Sequence, residues 1–135
     1  TTYVQILRIS WLALASGVAV GALSVAILLV NNLRDIPTDE LSGKRTLAVR
    51  MGEHGTRAAY CVAIATPFLA AGGIAIGGVP KALVALVALP LAIRPTRLVR
   101  NGATGRDLIP ALAGTGLLLL GYAVALSIGI AISAD

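Results

Sequence analysis

The sequence predicts an all-α membrane protein with four transmembrane helices, and three observations support this fold class. Of the 135 residues, 57% are hydrophobic and only 13% are charged, whereas soluble chains average roughly 45–50% apolar and 25% charged residues. The apolar residues occur in long runs, which suit a bilayer better than a compact core. The basic residues collect between these runs. This composition excludes both an ordinary soluble domain and a disordered chain.

The four predicted helices cover residues 11–30, 58–77, 79–98 and 108–133. The first and the last contain no charged residue, and a run of about 20 residues spans one bilayer core as a helix. Trp11 at the start of the first helix is typical of an aromatic anchor at the membrane interface. The third run is short unless it extends to Leu98, because Pro90 and Pro95 disturb its end.

Two polar loops, residues 31–57 and 94–107, are predicted between these helices and carry most of the positive charge. Of the 11 basic residues, only Arg8 and Lys81 lie outside the two loops. The positive-inside rule then places both loops in the cytoplasm and both termini outside. We therefore expect a multi-pass protein of the cell membrane. The net charge of +5 does not indicate nucleic-acid binding, because the basic residues flank apolar segments and only 4% of the chain is aromatic.

Most of the side chains that could perform chemistry lie between Asn31 and Gly52. Asn31, Asp35 and Asp39 are spaced four residues apart, so they would share one face of a continuing helix. Two carboxylates and an amide suit Mg²⁺, which binds in proteins through one or two carboxylates plus substrate phosphates. Pro37 complicates this arrangement, and we expect it to break or restart the helix around residues 33–37.

Basic side chains lie among and after these acids, at Arg34, Lys44, Arg45 and Arg50. A metal held by aspartates neutralises a diphosphate on one side, and cations can bind it on the other. The turn at residues 42–43 would let the two groups face each other. The spacing alone is a weak signal, because it also fits a solvated membrane interface whose ion pairs contribute little to stability.

The polar segment closely resembles the second conserved polar motif of the UbiA superfamily of intramembrane prenyltransferases. Within the superfamily it looks most like the members that act on 1,4-dihydroxy-2-naphthoate in menaquinone biosynthesis. A weaker match continues over residues 106–110, and the resemblance extends over essentially the whole chain. The residues that carry it are Asn31, Asn32, Arg34, Asp35, Asp39, Gly43, Lys44, Thr46, Leu47, Ala48, Val49, Arg50 and Gly52.

In that family nine transmembrane helices surround a cavity, and two acidic motifs hold Mg²⁺, which binds the diphosphate of a polyprenyl donor. The resemblance implies that this chain corresponds to helices six to nine and carries only the second motif. We therefore expect the missing N-terminal helices of the same enzyme to complete the site, and this chain to be inactive alone. The implied reaction transfers a polyprenyl group from polyprenyl diphosphate to 1,4-dihydroxy-2-naphthoate, with loss of CO₂, and gives demethylmenaquinone.

The resemblance also implies roles for individual residues. Asp35 and Asp39 would be the catalytic Mg²⁺ ligands, while Asn31, Arg34, Lys44, Arg45 and Arg50 would bind the diphosphate.

Other functions stay open at this point. One is prenyl transfer to a different aromatic acceptor, and another is a membrane transporter or lipid-binding helical bundle. Transport usually requires ionisable groups at depth, and the charge-free first and last helices argue against it. A phosphotransferase of the CDP-alcohol type would carry a D-G-x-x-A-R signature, which the sequence lacks.

Overall fold

A computed structural model, which describes residues 10–133, contains four helices that are long and apolar enough to cross a membrane. This confirms the predicted fold class, and the described residues contain no β-strand. Two 3₁₀ segments, Pro80–Ala88 and Gly105–Leu108, lead directly into the third and fourth α-helices. The α-helices are α1 (Trp11–Leu41), α2 (Leu47–Ile76), α3 (Leu89–Arg100) and α4 (Ile109–Ser133).

The helix α1 extends well beyond the apolar run that predicted it. Ser10 caps its start by accepting a hydrogen bond from the Ala13 amide at 3.1 Å, and the helix ends only at Leu41. The prediction that residues 31–57 form a loop is therefore wrong, because only residues 42–46 connect α1 to α2. Burial of Leu33 and Ile36 in the core stabilises the polar extension as a helix.

Pro37 lies inside α1, so the predicted helix break around residues 33–37 is also wrong. A proline removes one amide donor and crowds the carbonyl four residues earlier, here that of Leu33. At Pro37 this loss falls about one turn before the helix ends. The buried neighbours Leu33 and Ile36 offset it, because tertiary packing contributes more to helix stability than intrinsic propensity does.

The helix α2 also begins earlier than predicted, at Leu47 rather than Ala58. The Thr46 hydroxyl caps it by accepting from the Val49 amide at 3.3 Å. Gly52 interrupts the helix with φ 70° and ψ 174°, a conformation that side-chain-bearing residues rarely adopt. The buried Thr56 hydroxyl donates to the Gly52 carbonyl at 2.8 Å, so the short turn before Gly52 is tied to the main helix.

The third membrane segment starts as a 3₁₀ helix, and Pro90 stands at the beginning of α3 rather than disturbing its end. Because a 3₁₀ helix has three residues per turn, Ala82, Ala85 and Ala88 form one buried row. This row packs against α4, where the Lys81 carbonyl lies directly over Gly129. The helix continues through Pro95 to Arg100, slightly beyond the predicted end at Leu98.

Two tyrosines join the helices inside the bundle. The Tyr60 hydroxyl lies 2.8 Å from the Thr115 hydroxyl, which itself donates to the Ala111 carbonyl, so Tyr60 is the donor of the pair. The Tyr122 hydroxyl donates to the Pro67 carbonyl at 2.6 Å. Both links join α2 to α4, while the outward faces carry exposed apolar side chains suited to lipid or to further helices.

Candidate functional site

The polar end of α1 places three of the predicted site residues on one helix. Asn31, Asp35 and Asp39 lie one turn apart, and i, i+4 neighbours on a helix have Cβ atoms about 5–6 Å apart. The side chains of Asn31 and Asp35 are half-buried, whereas Asp39 is buried, with 8% of its surface exposed. The helix therefore presents two carboxylates and an amide along one line where the charge-free part of α1 ends.

Asp35 pairs with its neighbour in sequence, Arg34. The Arg34 guanidinium donates from Nε to Oδ1 at 2.8 Å and from Nη2 to Oδ2 at 3.0 Å, which is a bidentate ion pair. About a third of each side chain is exposed. Arg34 was predicted to contact a diphosphate, and in this structure its guanidinium neutralises one of the two predicted metal ligands instead.

Lys44 lies near Asp39, because the chain turns back toward the end of α1 after Leu41. The Ser42 hydroxyl and the Lys44 amide both donate to the Asp39 carbonyl, at 3.1 and 2.9 Å. Gly43 makes this return possible with φ 72°. As a result, Lys44 Nζ lies 3.7 Å from Asp39 Oδ1, with 69% of the lysine side chain still exposed. The turn expected from residues 42–43 is therefore present, and it brings an exposed cation to a buried carboxylate.

Arg45 and Arg50 are exposed and form no ion pair with a described residue. Arg45 precedes the capping residue Thr46, and Arg50 lies on the short helical turn that ends at Gly52. The structure thus brings Arg34 and Lys44 to the two aspartates but leaves Arg45 and Arg50 exposed on the surface.

Asp35 and Asp39 are the two carboxylates on this line of α1. Within residues 10–133, no three His, Cys, Asp or Glu side chains converge in a way that could hold a metal ion. Mg²⁺ keeps several waters and binds through one or two carboxylates together with substrate phosphates, so a pair of aspartates fits one such ion. Because Arg34 and Lys44 now neutralise this pair, both cations could turn to a phosphate once a metal occupied the carboxylates.

Sequence reasoning missed the role of Arg57, which it counted only as a basic loop residue. Its guanidinium donates to the carbonyls of Val99 at 2.6 Å and Ala103 at 2.9 Å, and to Glu53 at 2.9 Å. Only 14% of the Arg57 side chain is exposed. The spacing of four residues from Glu53 was visible in the sequence, but carbonyl partners more than 40 residues away were not.

Residues 1–107 match the model of the UbiA prenyltransferase family. This chain belongs to that family. The match includes the aspartates of α1, the return turn and the basic residues after it, and it confirms the resemblance inferred from the polar segment. No solved structure matches the chain.

Curated relatives of this UbiA chain share one name, 1,4-dihydroxy-2-naphthoate octaprenyltransferase. The protein from Mycobacterium tuberculosis is 46% identical over 136 residues, and the match covers 94% of this chain and 43% of the relative. The Mycobacterium leprae protein is 44% identical with the same coverage, and the Bacillus subtilis protein is 26% identical over 133 residues. The chain therefore spans less than half the length of the curated relatives that it matches.

Proposed function

We propose that the intact protein containing this segment transfers a polyprenyl group from polyprenyl diphosphate to 1,4-dihydroxy-2-naphthoate and releases CO₂. The immediate product is the quinol form of demethylmenaquinone, a precursor in menaquinone synthesis. Family membership and the shared name of the relatives support this reaction. The observation that carries it for this chain is the alignment of Asp35 and Asp39 on α1, with Lys44 Nζ 3.7 Å from the second carboxylate.

In this proposal Asp35 and Asp39 would hold Mg²⁺, supported by Asn31. When bound, the ion would offset the negative charge that develops on the departing diphosphate. Arg34 and Lys44 would donate hydrogen bonds to the same diphosphate, because an arginine fork and a lysine ammonium both suit phosphate oxygens. The exposed Arg45 and Arg50 would add positive charge at the rim.

The bond changes balance without an added oxidant or reductant. The allylic carbon–oxygen bond of the donor breaks, and the diphosphate leaves with the electron pair. The electron-rich naphthoate ring forms the new carbon–carbon bond at the carbon that carries the carboxylate. The bond between that ring carbon and the carboxylate then breaks, and CO₂ leaves. The electron pair of this broken bond returns to the ring and restores its aromaticity. The membrane setting serves the donor, whose apolar tail can stay in lipid.

We further propose that this segment supplies only part of the active site. Its single pair of aspartates would face a second acidic motif from the missing N-terminal helices, and the segment alone would be inactive. The basic residues at the polar end of the bundle support a cytoplasmic orientation of the site, in a multi-pass protein of the cell membrane. Arg8, which we assigned to the opposite side, lies outside the described residues.

The scarcity of buried charge among the described residues argues against transport as the function. Among the described residues the only buried charged side chain is Asp39, and it lies near the end of α1 rather than at membrane depth. An ion or proton path normally needs ionisable groups deep in the bundle. Prenyl transfer to a different aromatic acceptor is the nearest alternative, because the described residues do not select the ring.

An acceptor comparison tests the proposed reaction. The intact protein is incubated in liposomes with Mg²⁺, a polyprenyl diphosphate and either 1,4-dihydroxy-2-naphthoate or 4-hydroxybenzoate. We expect prenylated product and released CO₂ with the naphthoate only. Prenylated 4-hydroxybenzoate that retains its carboxylate would assign a different acceptor, and no product with either ring would contradict prenyl transfer.

A further inference from the structure

Two adjoining cavities lie along α3, α4 and the segment that connects these helices. The first has a volume of about 500 Å³ and is lined mainly by apolar residues, with Arg94 as its single charged side chain. The second has a volume of about 550 Å³ and is more polar than the first, with Asn101, Arg106 and Asp107 in its lining. Pro110 lines both cavities, so they adjoin at this residue, and the two together are called the cleft. Volumes of this size fall in the range of small-molecule sites, and the combined shape is amphipathic.

The apolar half of the cleft offers almost no hydrogen-bond donors. Pro90, Pro95 and Pro110 in its wall have no amide hydrogen, and Ala113 and Leu117 complete an apolar surface. Gly114 faces Pro95 so closely that a Cβ there would lie 3.4 Å from the proline ring. A surface of this kind favours a hydrocarbon chain over a polar ligand.

Each half of the cleft carries one arginine without an acidic partner, Arg94 in the apolar half and Arg106 in the polar half. Arg94 and Arg106 are exposed, and neither has a carboxylate within 4.0 Å among the described residues, where the ion pairs are Arg34–Asp35, Lys44–Asp39 and Arg57–Glu53. Asp107 lines the same cavity but forms none of these pairs. A guanidinium is the side chain best suited to bind phosphate through two parallel hydrogen bonds.

We propose that this cleft binds one anionic phospholipid. The phosphate lies between Arg94 and Arg106, and one acyl chain follows the apolar half of the cleft along α3 and α4. Charge complementarity favours this occupant, since basic pockets at the polar ends of membrane helices suit anionic head groups. A prenyl diphosphate fits less well, because its greater charge calls for a metal held by paired carboxylates and the cleft offers only Asp107. The proposal does not depend on the proposed prenyl transfer.

Lipid retention by the intact protein tests the proposal. The protein is reconstituted with mixed phosphatidylglycerol and phosphatidylcholine, purified in detergent, and analysed by native mass spectrometry. One variant combines Arg94→Gln with Arg106→Gln. The matched control combines Arg97→Gln with Arg100→Gln, which removes the same charge from exposed positions of α3 outside the cleft. A second pair keeps the charge: Ala113→Phe fills the apolar half, and Ala65→Phe places the same ring on an exposed position of α2.

We expect the parent and both controls to retain one phosphatidylglycerol in preference to phosphatidylcholine. Each cleft variant should retain it about tenfold less, as expected for the loss of a charge-assisted phosphate contact or of the chain-binding space. Equal loss in the two arginine pairs would overturn the proposal in favour of diffuse attraction. Equal retention of both lipids would also overturn it. Displacement of the retained phosphatidylglycerol by inorganic phosphate or by farnesyl diphosphate would overturn it as well.

Discussion

The guanidinium of Arg57 on α2 binds the Val99 carbonyl at 2.6 Å, next to the end of α3. The last carbonyls of a helix have no partner within the helix, and a cation there also complements the helix dipole. Through a second bond, to Ala103, the same side chain holds the turn that follows α3. Arg57 therefore joins three segments of the polar end of the bundle, which are α2, the end of α3 and the turn after it.

The first prediction concerns the stability that Arg57 provides. Arg57→Met keeps an unbranched, flexible side chain but leaves the carbonyls of Val99 and Ala103 without their donor. We expect a loss of about 2–3 kcal/mol in the free energy of unfolding, measured by denaturant titration in detergent. Arg97→Met removes an exposed charge from the last turn of α3 and should change it by less than about 0.5 kcal/mol. Equal effects of the two substitutions would show that the buried contacts of Arg57 contribute nothing.

A second prediction concerns the close contact between the 3₁₀ segment and α4. A Cβ at Gly129 would overlap the Lys81 carbonyl, a backbone atom that cannot rotate away. We expect Gly129→Ala to lower the free energy of unfolding by about 1–3 kcal/mol through overpacking. Gly116→Ala on the same helix meets no atom within 4 Å, so its better helix propensity should make it neutral or stabilising by up to about 1 kcal/mol. Equal tolerance of both would mean that the row of alanines does not pack this closely.

The third prediction is the membrane orientation of the bundle. Single cysteines replace Asn101, exposed after α3, and Ile76, which is 91% exposed at the end of α2, in a Cys61→Ala background. In intact cells an impermeant maleimide should label the cysteine at position 76 and leave the one at position 101 unlabelled until the membrane is opened. Labelling of both from outside would contradict the four-helix topology and the cytoplasmic assignment of the site.

Sequence patterns predicted the membrane helices because long charge-free runs leave few alternatives in a bilayer. They failed at the polar ends, where the fold depends on tertiary contacts. Polarity and Pro37 suggested a loop after Val30, but burial of Leu33 and Ile36 continues the helix to Leu41. Pro90 suggested a helix end, whereas a proline is equally compatible with the first turn of a helix, and that is where it lies.

The candidate site shows the same division between local and distant information. The spacing of Asp35 and Asp39 and the turn at Gly43 are local, so the sequence could predict that they would face Lys44. The sequence did not predict that Asp39 would be buried or that Arg34 would pair with Asp35, because both depend on how α1 packs and how its side chains rotate. The carbonyl partners of Arg57 depend on the approach of α2 to the end of α3, which no local pattern encodes.

The central claim is that Asp35 and Asp39 hold a divalent metal for prenyl transfer. Asp35→Asn keeps the size of the side chain but removes the charge that a hard cation requires. We expect a loss of about 10²–10³ in the turnover rate of the intact enzyme, with little change in binding of the aromatic acceptor. Asp39→Asn should behave alike, and the double variant should be little worse than either single one, because both residues serve one ion. Chelation of divalent metal should abolish the activity of the parent.

Glu40→Gln provides the matched control, since it removes the same charge from an exposed position next to Asp39. The most direct measurement is therefore Mg²⁺-dependent prenyl transfer in liposomes by Asp35→Asn and Glu40→Gln at equal protein levels. Our account predicts near-parental turnover for Glu40→Gln and loss of turnover for Asp35→Asn. Near-parental turnover of Asp35→Asn, or equal loss in both variants, would contradict the metal assignment. The polar end of α1 would then be only a solvated membrane interface.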